Sequence, residues 1–102
     1  MPTIQFFQPE EGRRFDGPLD LNTHVIRHPA ATFFLRVGPD VRGDADVRSD
    51  DLLVVDRSVT AFPNAVAVVV RGGELRVERL RRSGDEETEL WGVVTHLIRA
   101  LP

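Results

Sequence analysis

The sequence contains no cysteine and no lysine, and each absence excludes a class of chemistry. Without cysteine the chain can form no disulfide bond and no thiolate zinc site, and it has no thiol nucleophile. Without lysine it has no side-chain amine that could act as a base, because all 13 of its basic residues are arginines, whose guanidinium groups stay protonated in proteins. The three histidines are scattered along the chain and predict no metal site.

Long apolar runs are also missing. The longest, Ala65 to Val70, is far too short to cross a bilayer, and the N-terminus lacks the basic-then-apolar order of a signal peptide, so we expect a cytoplasmic protein without a membrane partner. A length of 102 residues with 41% hydrophobic residues fits one globular domain. Because the net charge is −3, we do not expect direct DNA binding through a general phosphate-binding surface.

Residues 1–19 have the composition of an extended arm that precedes a single folded domain over residues 20–102. Phe6, Phe7 and Phe15 stand in this arm among proline, glycine and charged residues, without sustained periodicity. Three large rings in such a segment have too few apolar neighbours to be buried locally. They pack either on the domain or on a partner, and the sequence leaves both alternatives open.

Periodicity within residues 20–80 predicts one short helix followed by strands. Asp20 is a candidate N-cap for a helix from Leu21 to Arg27, which must end before Pro29. In the predicted strand from Glu74 to Leu80, alternation places Leu75 and Val77 on one face. The predicted strands are Thr32 to Val37, Leu52 to Asp56, Ala65 to Val70 and Glu74 to Leu80.

The final segment allows two interpretations. Gly92 and the β-branched run from Val93 to Thr95 favour a strand. The spacing of its apolar residues fits an amphipathic helix instead. These residues are Leu90, Val93, Val94, Leu97, Ile98 and Leu101. The predicted fold class is mostly β with one short helix near the N-terminus.

Four ordered stretches resemble the UmuD proteins and the C-terminal domain of LexA-type repressors. They cover residues 20 to 80 and 90 to 101, and they read DLNTHVIRHPAATFFLRV, DDLLVVDRS, GGELRVERL and LWGVVTHLIRAL. The resemblance implies a bent, strand-rich domain in which the final segment is a strand. Members of this family form dimers, and they cleave themselves with a serine and lysine dyad when stimulated by the RecA filament on single-stranded DNA.

The two dyad positions carry unsuitable residues in this chain. The family's nucleophile is the serine of a Gly-Asp-Ser-Met motif, which corresponds to Val41 here, and its base is a strand lysine, which corresponds to Glu78. Valine has no hydroxyl to form an acyl intermediate, and the chain has no lysine to supply the base from elsewhere. The Ala-Gly or Cys-Gly bond that relatives cleave is also absent from the sequence. We therefore expect a pseudo-peptidase.

The resemblance implies a catalytically inactive accessory subunit of a Y-family translesion DNA polymerase in the SOS response, similar to the processed, short-armed form of UmuD and needing no cofactor. Its arm, with Phe6, Phe7 and Phe15, would contact the partner. An alternative is a dimerisation module that binds RecA or a LexA-type repressor and modulates its cleavage or transcriptional control. The terminal run suggests a homodimer, since an unpaired apolar edge invites a second chain. The candidate interface residues are Trp91, Val93, Val94, Leu97 and Ile98.

Two other sites are disfavoured by their sequence context. A nucleophile rebuilt on Ser49, Ser58 or Ser83 with a histidine base would have to lie beside a strand or in a turn. His24 and His28 stand four residues apart, a spacing that can hold zinc, but a third ligand is not evident and a packing role explains His28.

Overall fold

The computed structural model describes residues 20–39, 45–81 and 88–102. Within these ranges a short helix and a 3-10 turn precede five strands, whose order in the sheet is β1-β2-β5-β3-β4 with every neighbouring pair antiparallel. The mostly β fold is confirmed, and so is the strand interpretation of the final segment. The elements are α1 (Leu21–Val25), the 3-10 turn (Pro29–Ala31), β1 (Thr32–Arg36), β2 (Leu52–Asp56), β3 (Val66–Arg71), β4 (Glu74–Arg79) and β5 (Thr88–Ile98).

Helix α1 starts where the sequence predicts and ends early. The Asp20 side chain accepts a hydrogen bond from the Asn22 backbone N–H at 3.0 Å, which caps the first turn. The prediction that the helix reaches Arg27 was wrong, because Ile26 is already extended, with φ −103° and ψ 101°. The chain leaves the helical conformation in time for Pro29, whose fixed φ starts the 3-10 turn.

Strand β5 holds the two halves of the sheet together. Its first half, Thr88 to Val93, pairs with β3, and its second half, Val93 to Ile98, pairs with β2. Register shifts leave Trp91 and Thr95 without a partner residue in these two ladders. Such bulges bend a strand and increase its twist, which gives the bent sheet that the resemblance implies.

This position corrects the expectation of a free terminal edge. In the sheet order β5 lies between β2 and β3, so it is a central strand rather than an edge strand. Among the described residues, however, each half of β5 is paired on one side only. The second half is therefore open on the side that faces away from β2, and the first half is open on the side that faces away from β3.

Strands β2 and β3 form the centre of the core, because their valine and leucine side chains are buried on both faces of the sheet. Val77 of β4 joins this core at 8% exposure, whereas Leu75, which alternation places on the same face, is 57% exposed. The two residues share a face of β4, yet Leu75 lies beside the Gly72–Gly73 turn, beyond the edge of the core. Both turn glycines have positive φ, as a tight hairpin requires.

Gly92 lies where β5 crosses the end of β2, and it leaves no space for a side chain. A Cβ at this position would lie 2.6 Å from Cγ1 of Val55, which is fully buried, and 3.2 Å from Cγ of Arg57. We therefore expect Gly92→Ala to lower the free energy of unfolding by roughly 1–3 kcal/mol, as overpacked cores do. Urea unfolding measures this change.

A double-mutant cycle gives this prediction its control. Val55→Ala removes the Cγ1 atom that the new methyl group would meet, so Gly92→Ala should cost clearly less in the Val55→Ala background. An equal cost in both backgrounds would contradict the steric explanation.

Candidate functional site

Of the two dyad positions, Val41 lies outside the described residues and Glu78 lies in β4. The Glu78 carboxylate accepts two hydrogen bonds from Arg71 of β3, from Nε to Oε2 at 3.1 Å and from Nη2 to Oε1 at 2.8 Å. The side chains of Arg71 and Glu78 are 32% and 21% exposed. The position to which the resemblance assigns the family's lysine therefore holds a partly buried ion pair that links the two strands of a hairpin.

This ion pair cannot supply the chemistry of a lysine base. A general base must accept a proton from the nucleophile, and an amine does so only after losing its own proton. The guanidinium of Arg71 keeps its protons, and protonation of Glu78 would break the two charge-assisted hydrogen bonds between them. What the arrangement can do is stabilise the β3–β4 hairpin.

The segment that follows the Val41 region is anchored to the end of β5. Arg99 donates hydrogen bonds to both oxygens of Asp51, at 2.8 and 2.7 Å, and the Arg48 backbone N–H donates to Asp51 at 2.8 Å. Asp51 is 1% exposed. The hydrogen bond from Arg99 outweighs burial and lowers the pKa of Asp51 to about 2. An ionised carboxylate thus fixes this loop against the sheet.

A second buried carboxylate, Asp56, joins the turn before β1 to the end of β2. Its Oδ2 lies 2.6 Å from Nδ1 of His28, and its Oδ1 accepts from the Ser58 hydroxyl at 2.6 Å and backbone N–H at 2.8 Å. Burial alone would raise the pKa of Asp56, but the hydrogen bonds from Ser58 and His28 outweigh it and lower the pKa to about 2. His28 therefore has a structural partner.

The same network bears on the alternative of a rebuilt serine nucleophile. Activation requires a histidine next to the serine and an aspartate behind the histidine. Here Asp56 lies between Ser58 and His28, so the Ser58 proton faces a carboxylate rather than an imidazole. Ser49 is exposed in a loop, and Ser83 lies outside the described residues.

His24 and His28, whose spacing in the sequence could hold zinc, contact different partners in the structure. His28 pairs with Asp56, whereas the ring of His24 lies near that of His96 in β5, with centroids 6.3 Å apart. In the part of the chain that the structure describes, no group of three or more His, Cys, Asp or Glu side chains could hold a metal ion.

The predicted interface residues divide into four environments. Val93 is 1% exposed and belongs to the core of the chain, so its side chain cannot contact a partner, and its inclusion was wrong. Val94 packs partly buried against the core. Leu97 and Ile98 are each 40% exposed on the second half of β5. Trp91 lies apart from them, on the first half.

Trp91 forms one wall of a groove that sequence reasoning missed. The ring of Phe33 meets its ring edge-on at a centroid distance of 5.3 Å, and the guanidinium of Arg57 lies 4.4 Å from its centroid. The groove encloses about 360 Å³. Alternation along β1 could have shown that Phe33 and Phe34 face opposite sides, but nothing in the sequence pairs β1 with the bulge at Trp91. We name this cavity the Trp91 groove. It is lined by Ala30, Ala31, Phe33, Arg57, Val59, Leu90, Trp91 and Gly92.

Comparisons with known proteins find a matching family and several relatives of similar sequence. A family model described as Peptidase S24-like matches residues 5–91. The MucA protein of Salmonella typhimurium is 35% identical over 97 residues, and the match covers 76% of this chain and 66% of MucA. ImpA of Salmonella typhimurium is 36% identical over 97 residues, covering 78% of this chain and 67% of ImpA. SamA of Salmonella typhimurium strain LT2 is 34% identical over 95 residues, and the match covers 78% of this chain and 68% of SamA.

The bent antiparallel sheet and this match define a Peptidase S24-like domain. The chain belongs to that family, as a UmuD-like member of the LexA and UmuD group. It spans just under two thirds of the length of MucA, at 66%. Among the described residues, no helix is long and apolar enough to span a membrane.

Proposed function

We propose that this protein is a catalytically inactive, UmuD-like accessory subunit of a Y-family translesion DNA polymerase in the SOS response. It acts by dimerisation and by contact with its partner, without cutting peptide bonds. The observation that supports this most is the Arg71–Glu78 ion pair at the position of the family's base, in a chain that contains no lysine. A family member without its dyad can act only through its surfaces.

The dimer surface that we propose is the end of β5. Leu97 and Ile98 are each 40% exposed there, and Leu101 beyond them is 85% exposed. Past Val93 the edge of β5 that faces away from β2 has no strand partner among the described residues. An open edge beside exposed apolar side chains can pair with the same edge of a second copy, which gives a two-fold interface.

Light scattering tests the dimer. We expect the wild-type protein to scatter as a species of twice 11.4 kDa at micromolar concentration. Leu97→Glu should convert it to a monomer, because a charge buried without a partner is costly at an interface. The matched control is Leu75→Glu, a similarly exposed leucine near the β3–β4 turn, which should remain dimeric. A wild-type sample that showed only the 11.4 kDa species would contradict the proposed dimer.

A pull-down from DNA-damaged cells, with the bound proteins identified by mass spectrometry, tests the accessory role. Recovery of a Y-family polymerase supports the proposal. Recovery of RecA or a LexA-type repressor without a polymerase would contradict it, and would favour a dimerisation module that modulates the repressor's cleavage or transcriptional control.

A further inference from the structure

The Trp91 groove has the composition of a binding site for an extended peptide. Phe33 and Leu90, which both line it, are each 42% exposed, and Trp91 is partly buried. Exposed aromatic and aliphatic side chains that line one concavity are the usual features of a site where a partner inserts an apolar side chain.

Arg57 adds a positive charge whose position is fixed in advance. Its Nε donates to the Trp91 carbonyl at 2.7 Å, and its guanidinium stacks on the Trp91 ring. These two contacts leave the Nη1 and Nη2 donors of Arg57 unused, and no carboxylate of the described chain pairs with it. The neighbouring Asp56 is already committed to His28 and Ser58.

Part of the backbone along the groove is also open, apart from the Trp91 carbonyl, which Arg57 occupies. Pairing of β2 with β5 begins at Asp56 and Val93, so the side of Thr88 to Gly92 that faces away from β3 has no strand partner within the described ranges. Alternate residues of a strand direct their N–H and C=O groups to one side. An added peptide strand can hydrogen-bond to such an edge while its alternate side chains enter the groove.

We infer that the Trp91 groove binds an extended segment of another protein, in which an aromatic side chain is followed closely by a carboxylate. The aromatic ring packs against Phe33 and Leu90, and the carboxylate accepts from the two free nitrogens of Arg57. Preorganisation of Arg57 lowers the entropy that binding must overcome. The inference rests on the groove alone and does not depend on the polymerase being the partner.

Fluorescence anisotropy with the full chain tests this site. The probe is a labelled octapeptide of alternating threonine and valine with one central phenylalanine and, two positions later, an aspartate; its pair carries asparagine in place of the aspartate. We expect the aspartate peptide to bind about tenfold more tightly than the asparagine peptide. Arg57→Gln should abolish this preference, so that the variant binds the two peptides with equal affinity.

Two further variants distinguish binding in the groove from non-specific binding to exposed apolar side chains. Phe33→Ala should weaken both peptides about tenfold, as expected for loss of an aromatic contact. Phe34→Ala is the matched control, since Phe34 is the next residue of the same strand and is 47% exposed on the opposite face, and it should change neither affinity.

Three results would overturn the inference. The first is that the wild-type protein binds the two peptides with equal affinity, or binds neither of them saturably. The second is binding that appears only after deletion of residues 2–15, which would assign the groove to the chain's own arm. The third is binding that disappears as the protein dimerises, which would assign it to a second copy.

Discussion

The purified protein should remain a single intact species of 11.4 kDa at alkaline pH, and also with RecA, ATP and single-stranded DNA, the conditions under which self-cleaving relatives digest themselves. The reason is chemical. Val41 has no nucleophilic oxygen, and Arg71 engages Glu78, the residue that the resemblance assigns to the position of the family's lysine. Loss of such groups from a serine protease removes about 10⁶ of its rate. Intact mass spectrometry over several days measures the outcome.

A double variant sharpens this prediction. Val41→Ser with Glu78→Lys restores the residue types of the dyad, yet we expect no hydrolysis of a supplied peptide that contains an Ala-Gly bond. Lysine in place of Glu78 would lose the ion pair of the hairpin, and the positive charge of Arg71 would repel its side chain out of the site into solvent. A lysine that remains hydrated also keeps its proton near neutral pH. A specific fragment from the wild-type protein, or robust peptide hydrolysis by the double variant, would contradict the account.

Local patterns predicted those elements whose residues carry their own signals. Leu52 to Asp56 is a strand with the predicted bounds, and Gly72 and Gly73 form the turn between the two strands predicted on either side of them. Asp20 caps the helix because its short carboxylate reaches the N–H of the first turn. Such features depend on neighbours in sequence, so they can be identified without knowledge of the fold.

The remaining features depend on which strands pair. Apolar content predicts that β5 is buried or paired, but it does not reveal that β5 lies between β2 and β3, or that bulges fall at Trp91 and Thr95. The Arg71–Glu78 pair spans seven residues of sequence, and Arg57 and Trp91 are 34 apart. The alternation of Glu74, Arg76 and Glu78 along β4 does not reveal this pair, because a single sequence does not show which opposite charges meet. The resemblance identified the position of Glu78 and could not supply its partner.

The arm should strengthen binding to the polymerase. Phe6, Phe7 and Phe15 lie outside the described residues, so this expectation rests on their sequence context alone. At about 25 cal/mol per Å², burial of two such rings supplies roughly 3 to 5 kcal/mol before ordering costs. Deletion of residues 2–15 should therefore weaken polymerase binding by about tenfold or more. The deletion variant should keep its β-sheet circular dichroism spectrum, because the first described strand begins at Thr32.

Unchanged affinity after the deletion would remove the arm from the interface and would leave the proposed dimer intact. If light scattering showed that the deletion also disrupts the dimer, the arm would instead belong to the fold. These two outcomes can be separated because the dimer surface that we propose, around Leu97 and Ile98, lies at the other end of the chain.

Isothermal titration calorimetry of the full-length protein with the Y-family polymerase of its own cell is the most direct measurement of the proposed function. The account predicts saturable binding by the wild-type dimer, in a preparation that mass spectrometry shows to be uncleaved. No binding by this intact dimer, at concentrations where light scattering confirms that it is folded and dimeric, would contradict the proposal that it serves as an accessory subunit.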